Sequence, residues 1–156
     1  MFHRGHVNIK IEPVSVSRLG RLYEIEKQCF EEEAFSKQQL AYMLTDYSNI
    51  RLAAVVRDEI AGFVIAQVDF GRNGAFGHIL TVDVAPAYRR RGIAQKLLNA
   101  VEVVFKRWDI KQLRLEVRVD NFAALSLYRK MGYEKGCILE RYYGDADGVY
   151  LKKILR

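Results

Sequence analysis

The chain reads as a mixed α/β domain built on one sheet, and three observations say so. Strand-like and helix-like segments alternate from end to end, with no linker, repeat or low-complexity tract between them. One apolar stripe of helical period, over Gly92 to Arg107, is sharp: Ile93, Leu97, Leu98, Val101, Val104 and Phe105 fall on one face. A strand of strict period two, Leu113 to Val119, follows it directly. With 156 residues, half of them hydrophobic, the chain is long enough for one well-buried core, so residues 1 to 156 are read as a single domain with residues 1 to 6 as a flexible N-terminus.

The elements follow in order. Val7 to Pro13 is the first strand. Val16 to Phe30 is a helix, with Leu19, Leu22, Tyr23, Ile25 and Glu26 at helical spacing. A second helix covers Ser36 to Thr45, with Ser36 as N-cap and Gln39 in capping-box register. Strands Ile50 to Arg57 and Ala61 to Phe70 are joined by the polar turn Arg57-Asp58-Glu59. After Gly71-Arg72-Asn73-Gly74, Ala75 to Val84 is a fourth strand, and the helix Gly92 to Arg107 comes next. Strand Gln112 to Val119, helix Asn121 to Met131 and strands near Tyr133 to Glu140 and Val149 to Leu155 complete the order. Asn121 has the character of an N-cap and Gly132 that of a helix-ending residue.

Composition narrows the function classes. Cys29 and Cys137 are far apart and outside any CxxC pattern, so neither a disulfide framework nor a metal site is expected, and a reduced cytoplasmic setting is the simplest. No apolar run approaches the ~20 residues that cross a bilayer, and the start lacks a signal-peptide core. A net charge of +6 fits either a nucleic-acid surface or a pocket for a phosphorylated ligand. The densest basic cluster, Arg89 to Arg91, sits at a strand-to-helix junction, which favours the pocket while leaving room for weak ribosome or RNA association. At that junction the first amides of the helix have no partner of their own, and the positive end of the helix dipole adds to them. The turn is an anion site.

Two further segments carry chemistry. Alternation puts Arg114, Glu116 and Arg118 on one strand face; Glu116 is then either a partner in an ion pair or a general base on a rigid element. Tyr128, in the helix after that strand, is either a core aromatic or a phenol facing the same cleft as Glu116.

Taken together these segments resemble the GNAT superfamily of acetyl-CoA-dependent N-acetyltransferases. Arg89-Arg90-Arg91-Gly92-Ile93-Ala94 fits its [Q/R]-x-x-G-x-[G/A] signature, and Leu115-Glu116-Val117-Arg118, Asn121, Ala124-Leu125-Ser126-Leu127-Tyr128 and Gly132-Tyr133 extend the match. The branch it is similar to holds the RimI-type alanine acetyltransferases and the archaeal and eukaryotic N-terminal acetyltransferases. Gly77-His78-Ile79 and Tyr142 to Tyr150 lean toward the archaeal form.

The resemblance implies a mostly antiparallel mixed sheet of about six to seven strands with about four helices. It also implies roles. The main chain of Val82, Asp83 and Val84 would meet the pantetheine arm, Arg89, Arg90, Arg91, Gly92, Ile93, Ala94 and Gln95 the pyrophosphate, and Asn121 and Tyr128 the rest of acetyl-CoA. Glu116 would accept the proton of the attacking amine and Tyr128 would donate to the departing thiolate. Phe30, Glu31, Phe35, Tyr142 and Tyr143 would line the acceptor groove. Glu33 is open to two readings, a helix-start carboxylate or an alternative base, and His78 to two, a strand-end polar residue or a second proton acceptor. The expected acceptors are protein N-termini, ribosomal or nascent; lysine or small-amine acetylation and a non-catalytic acyl-CoA-binding module are the alternatives. No metal is implied.

Overall fold

The computed structural model describes residues 8–156, so the expected flexible N-terminus at residues 1 to 6 lies outside the described residues. Seven strands form one sheet in the order β1-β2-β3-β4-β5-β7-β6. They are β1 (Ile9–Pro13), β2 (Ile50–Val56), β3 (Glu59–Gly71), β4 (Gly74–Val84), β5 (Gln112–Arg118), β6 (Glu134–Leu139) and β7 (Gly148–Ile154). Four α-helices, α1 (Leu19–Cys29), α2 (Lys37–Thr45), α3 (Ile93–Arg107) and α4 (Phe122–Lys130), complete the mixed α/β fold. Every neighbouring pair is antiparallel except β4 and β5.

Local chemistry explains most boundaries. Ser36 and Gln39 form the full capping box, each side chain bonding the other's amide at 3.1 and 2.8 Å, and so start α2. Asn121 accepts the Ala124 amide at 3.1 Å and opens α4. Several expected boundaries shift by a few residues. The first helix begins with a 3-10 turn at Val16–Arg18, because the Ser15 hydroxyl takes the Ser17 amide before the α-helical ladder starts. Glu59 belongs to β3, paired with Val56, so the turn has two residues. Arg57 and Asp58 both lie at positive φ, 49° and 66°, the backbone that a tight hairpin needs. The helix expected from Asn121 to Met131 runs from Phe122 to Lys130.

The sheet carries an apolar layer on both sides. Ile93, Leu97, Leu98, Val101 and Phe105 of α3 pack with Leu113, Leu115 and Val117 of β5 and with Tyr128 and Tyr133. Leu22 and Ile25 of α1 pack with Leu40 and Leu44 of α2 over Phe63 and Ile65. The junction that positions the site is the parallel one. Strands β4 and β5 pair at Gly77↔Leu113 and His78↔Arg114 and at no later register. A Cβ on Gly77 would lie 2.5 Å from Leu113 and 2.6 Å from Phe105, so the two strands meet there on a glycine. Beyond that point β4 continues to Val84 without β5 beside it, and the sheet splays.

Candidate active site

The splay leaves main-chain groups without a strand partner. Phe63 pairs with Asp83 in the β3–β4 ladder, and the Ala85 amide donates to Ala61 at 2.8 Å. Antiparallel bonding alternates every two residues, so the main chain of Asp83 faces β3 while that of Val82 and Val84 faces the gap. The Val84 carbonyl there accepts from Arg89 Nε at 3.3 Å and from the Cys29 thiol at 3.4 Å. Asp83 departs from expectation. Its side chain is 1% exposed and bonded to Thr81 in the interior, so neither its carboxyl nor its main chain faces the gap.

The arginine turn closes one end of that gap. Arg90 and Gly92 take positive φ values of 64° and 75°, a curl that gathers amides before α3 begins. The ladder of α3 starts with the Lys96 amide on Gly92 at 3.1 Å, and Gly92 supplies no side-chain cap, so the Ile93, Ala94 and Gln95 amides lie ahead of it. Arg89, Arg90 and Arg91 are exposed around this start, with Arg91 over the Tyr88 ring at 5.4 Å. Ile93 presents its amide only, since its side chain is core. Asn121 uses its oxygen as the α4 cap and keeps its amide NH₂ for other partners.

At the other end stands a row of ionisable groups. His78 Nε2 lies 2.9 Å from Glu116 Oε2 and His78 Nδ1 lies 2.7 Å from Asp69 Oδ2. Gln67 donates to the second oxygen of Asp69 at 2.9 Å. Burial works against a charged ring, but the bonds and charges of Glu116 and Asp69 outweigh it and push the histidine above its ordinary value. Glu116 is thus paired with a histidine of β4 rather than with the arginine expected of a strand-face ion pair, and its carboxylate stands at the mouth of the gap. Asp69 is a new member of this row. The signal for it was present: Gln67 and Asp69 are an i, i+2 polar pair after the apolar run Ile60 to Ala66.

Arg118, two residues along β5, gathers the rim. Its guanidinium pairs with Glu33, with Asp120 at 2.9 Å and with Asp145 at 3.0 Å. This ties loop 30–36 to the segment between β6 and β7. In that segment Tyr142 and Tyr143 stack edge to face, with centroids 4.9 Å apart, and the Tyr143 ring lies 5.8 Å from the guanidinium. Burial, then Tyr142, Glu116 and Glu33, push the Tyr143 phenol up, so its hydroxyl stays protonated. Tyr142 is half exposed and Glu31 is exposed, while Phe30 is half-buried. Phe35 is also half-buried and packs onto the α1–α2 layer. The Glu33 carboxylate is paired with Arg118, so to act as a base it would have to give up that partner. Tyr128 is buried against Tyr133, rings at 71° and 5.2 Å. Burial raises its phenol strongly, so it too stays protonated at neutral pH.

The arrangement has two halves, an amide-lined cradle for an anion and a carboxylate–imidazole row beside it. Known proteins resemble the chain in sequence and fold. Residues 19–133 match the model of the acetyltransferase (GNAT) family. An N-alpha-acetyltransferase of Saccharolobus solfataricus is 31% identical over 117 residues, 69% of this chain and 70% of that protein. The NatC complex solved with Gag peptide and CoA contains a chain 25% identical with a TM-score of 0.86, covering 96% of this chain and 99% of that one. The ribosomal-protein-S18-alanine N-acetyltransferase of Escherichia coli has the same fold, with a TM-score of 0.83 at 23% identity, covering 95% of this chain and 94% of that one. The chain belongs to the GNAT acetyltransferase family, and acetyl-CoA is its acetyl donor.

Proposed function

We propose that this enzyme acetylates the α-amino group of protein N-termini by direct attack within a ternary complex. The observation that carries the reading is the Glu116–His78–Asp69 row, set where β4 and β5 part and faced by the Glu33–Arg118–Tyr143 rim. The curated relative cited above carries the name N-alpha-acetyltransferase, which supports the same assignment.

The donor half fits its ligand. Amides of Ile93, Ala94 and Gln95, with Arg89 to Arg91 around them, would hold the pyrophosphate. The main chain of Val82 would pair with the pantetheine amides, and the free NH₂ of Asn121 would add a contact. An amine attacks a thioester as its neutral form, and an α-amine of pKa about 8 is already neutral in roughly one molecule in ten at pH 7. A modest base suffices. Glu116 takes the proton and passes it along His78 toward Asp69 at the surface, and Tyr128 protonates the departing thiolate. Burial pushes the Cys29 thiol up, which disfavours a thiolate nucleophile and an acetyl-enzyme.

In this reading Glu31, Tyr142 and Tyr143 face the incoming chain, Phe35 supports them from below, and Glu33 is a latch. The acceptors are ribosomal or nascent N-termini, and the basic surface adds a weak attraction to ribosomes or RNA. Two free thiols, Cys29 and Cys137, suit a cytoplasmic setting. Mass spectrometry of a peptide that carries both a free N-terminus and an internal lysine, incubated with acetyl-CoA, tests the assignment. Acetyl on the N-terminal residue is expected; acetyl on the lysine alone would overturn it.

A further inference from the structure

A second polar cluster lies sealed beneath loop 30–36. Glu26 of α1 and Thr81 and Asp83 of β4 are 1, 5 and 1% exposed. The Thr81 hydroxyl stands 2.9 Å from Glu26 Oε1 and 2.5 Å from Asp83 Oδ1. A hydroxyl has one proton and two contacts to acceptor oxygens, so one carboxyl must bring a proton of its own.

The remaining oxygens decide which. Glu26 Oε2 accepts the Phe35 amide at 3.0 Å, whereas Asp83 Oδ2 has no partner among the described residues. An orphan oxygen is tolerable on a neutral acid and costly on a buried carboxylate. The chain of donation therefore runs from Asp83 to Thr81 to Glu26. Burial, then the charge of Glu26, hold Asp83 well above the usual carboxylate range, in agreement with that direction. Glu26 is left as the acceptor of two bonds, and one of them comes from the loop.

Its main chain holds the loop as well. The Phe30 amide donates to the Glu26 carbonyl at 2.9 Å, so a single residue takes both ends of the segment from Phe30 to Phe35. Between those ends, Glu33 reaches Arg118 on β5. We propose that Glu26 is a positioning residue for the amine acceptor: by clasping loop 30–35 at Phe30 and Phe35 from inside the core, it sets the rim against which the substrate N-terminus binds. This rests on the reading of loop 30–36 as part of the acceptor groove.

The test compares Glu26→Met with Glu26→Gln, using a free-amine peptide and acetyl-CoA. Glutamine keeps an oxygen for the Phe35 amide and an NH₂ for Thr81; methionine fills the space and bonds neither. With Glu26→Met the KM for peptide should rise about tenfold while kcat stays within about threefold, as expected for loss of a bond to a charged group that acts through binding. Acetyl-CoA affinity, measured by calorimetry, should not change, and Glu26→Gln should restore the peptide KM. Unchanged peptide KM in Glu26→Met, or a parallel loss of acetyl-CoA affinity, would overturn the proposal. Amide exchange supplies a readout that needs no variant and no turnover. In the wild-type enzyme the Phe35 amide should exchange at least about tenfold more slowly than that of Ala34, and equal rates would also overturn it. A wild-type enzyme that acetylates no peptide N-terminus while Phe35 stays protected would refute the acceptor reading and leave the clasp standing.

Discussion

Two rows of acidic groups share strand β4, and they differ in what bridges them. At the mouth of the cleft an imidazole joins Asp69 to Glu116; under loop 30–36 a hydroxyl joins Glu26 to Asp83. An imidazole offers a nitrogen to each side and can carry one proton or two, so the open row can take up and release protons. A hydroxyl has one proton, and the sealed row can satisfy itself in only one direction. Exposure follows the same division, since His78 and Glu116 side chains keep 20% of their surface and Asp69 keeps 31%, against about 1% for Glu26 and Asp83. The open row is built for turnover and the sealed one for holding shape.

Substitutions can break each half of that contrast. The largest effect is expected for Glu116→Gln, which leaves His78 a neighbour but removes the acceptor: kcat/KM should fall by about 100-fold with acetyl-CoA affinity unchanged. Steady-state kinetics with a peptide acceptor checks it, and full activity across pH would sink the assignment of Glu116 as base.

Asp69→Asn should shift the pH profile by a smaller amount. His78 has to be neutral to take a proton onward, so activity is lost as pH falls through its folded pKa, which Glu116 and Asp69 have raised above about 6.5. Removing one partner lowers that value, and the acid limb of kcat/KM should move to lower pH. The same raised histidine contributes stability that is whole below about pH 6.5 and is lost as pH rises through the folded value. Asp69→Asn should therefore flatten that part of the stability curve. An unmoved acid limb would disconnect Asp69 from the proton path.

The smallest expected effect is a gain. Asparagine at position 83 can donate to Thr81 as the neutral acid does, without any penalty for holding a proton. Asp83 is raised in the folded state, so wild-type stability is complete below about pH 4 and declines as pH rises toward the folded value. Asp83→Asn should raise Tm by a few degrees at pH 8, and the difference should close toward pH 4. Thermal melts at the two pH values decide it, and a lower Tm for the variant at pH 8 would reverse the direction assigned to the sealed row.

Local chemistry was legible in the chain, and long-range pairing was not. The α3 stripe, the Ser36–Gln39 box, the Asn121 cap and the positive-φ glycine at 132 each depend on neighbours within a few residues, and the structure reproduces them. The alternation in β5 also held: Leu113, Leu115 and Val117 are buried, and Glu116 faces away from them. The partners of those residues were hidden. Arg118 and Glu33 are 85 positions apart, Glu26 and Thr81 are 55 apart, and only the order of strands brings them together. Glu26 sat in plain view at helical spacing with Leu22 and Ile25, a carboxylate on an apolar stripe. That misfit pointed to a buried partner without saying which one. Asp83 is the reverse case: the resemblance implies a place for it beside Val82 and Val84 on the ligand gap, and the two-residue alternation of the β3–β4 ladder turns its main chain to β3.

The Arg118 node sets how the two ends of the enzyme respond to ionic strength. Its bonds to Glu33, Asp120 and Asp145 are charge pairs close to solvent, and at about 0.15 M salt the screening length is roughly 8 Å, shrinking to about 3 Å at 1 M. The grip of Glu26 on Phe35 lies inside the core, beyond the reach of mobile ions. Concentrated salt would therefore free the tip of the loop at Glu33 before its base, widening the mouth while the segment stays seated.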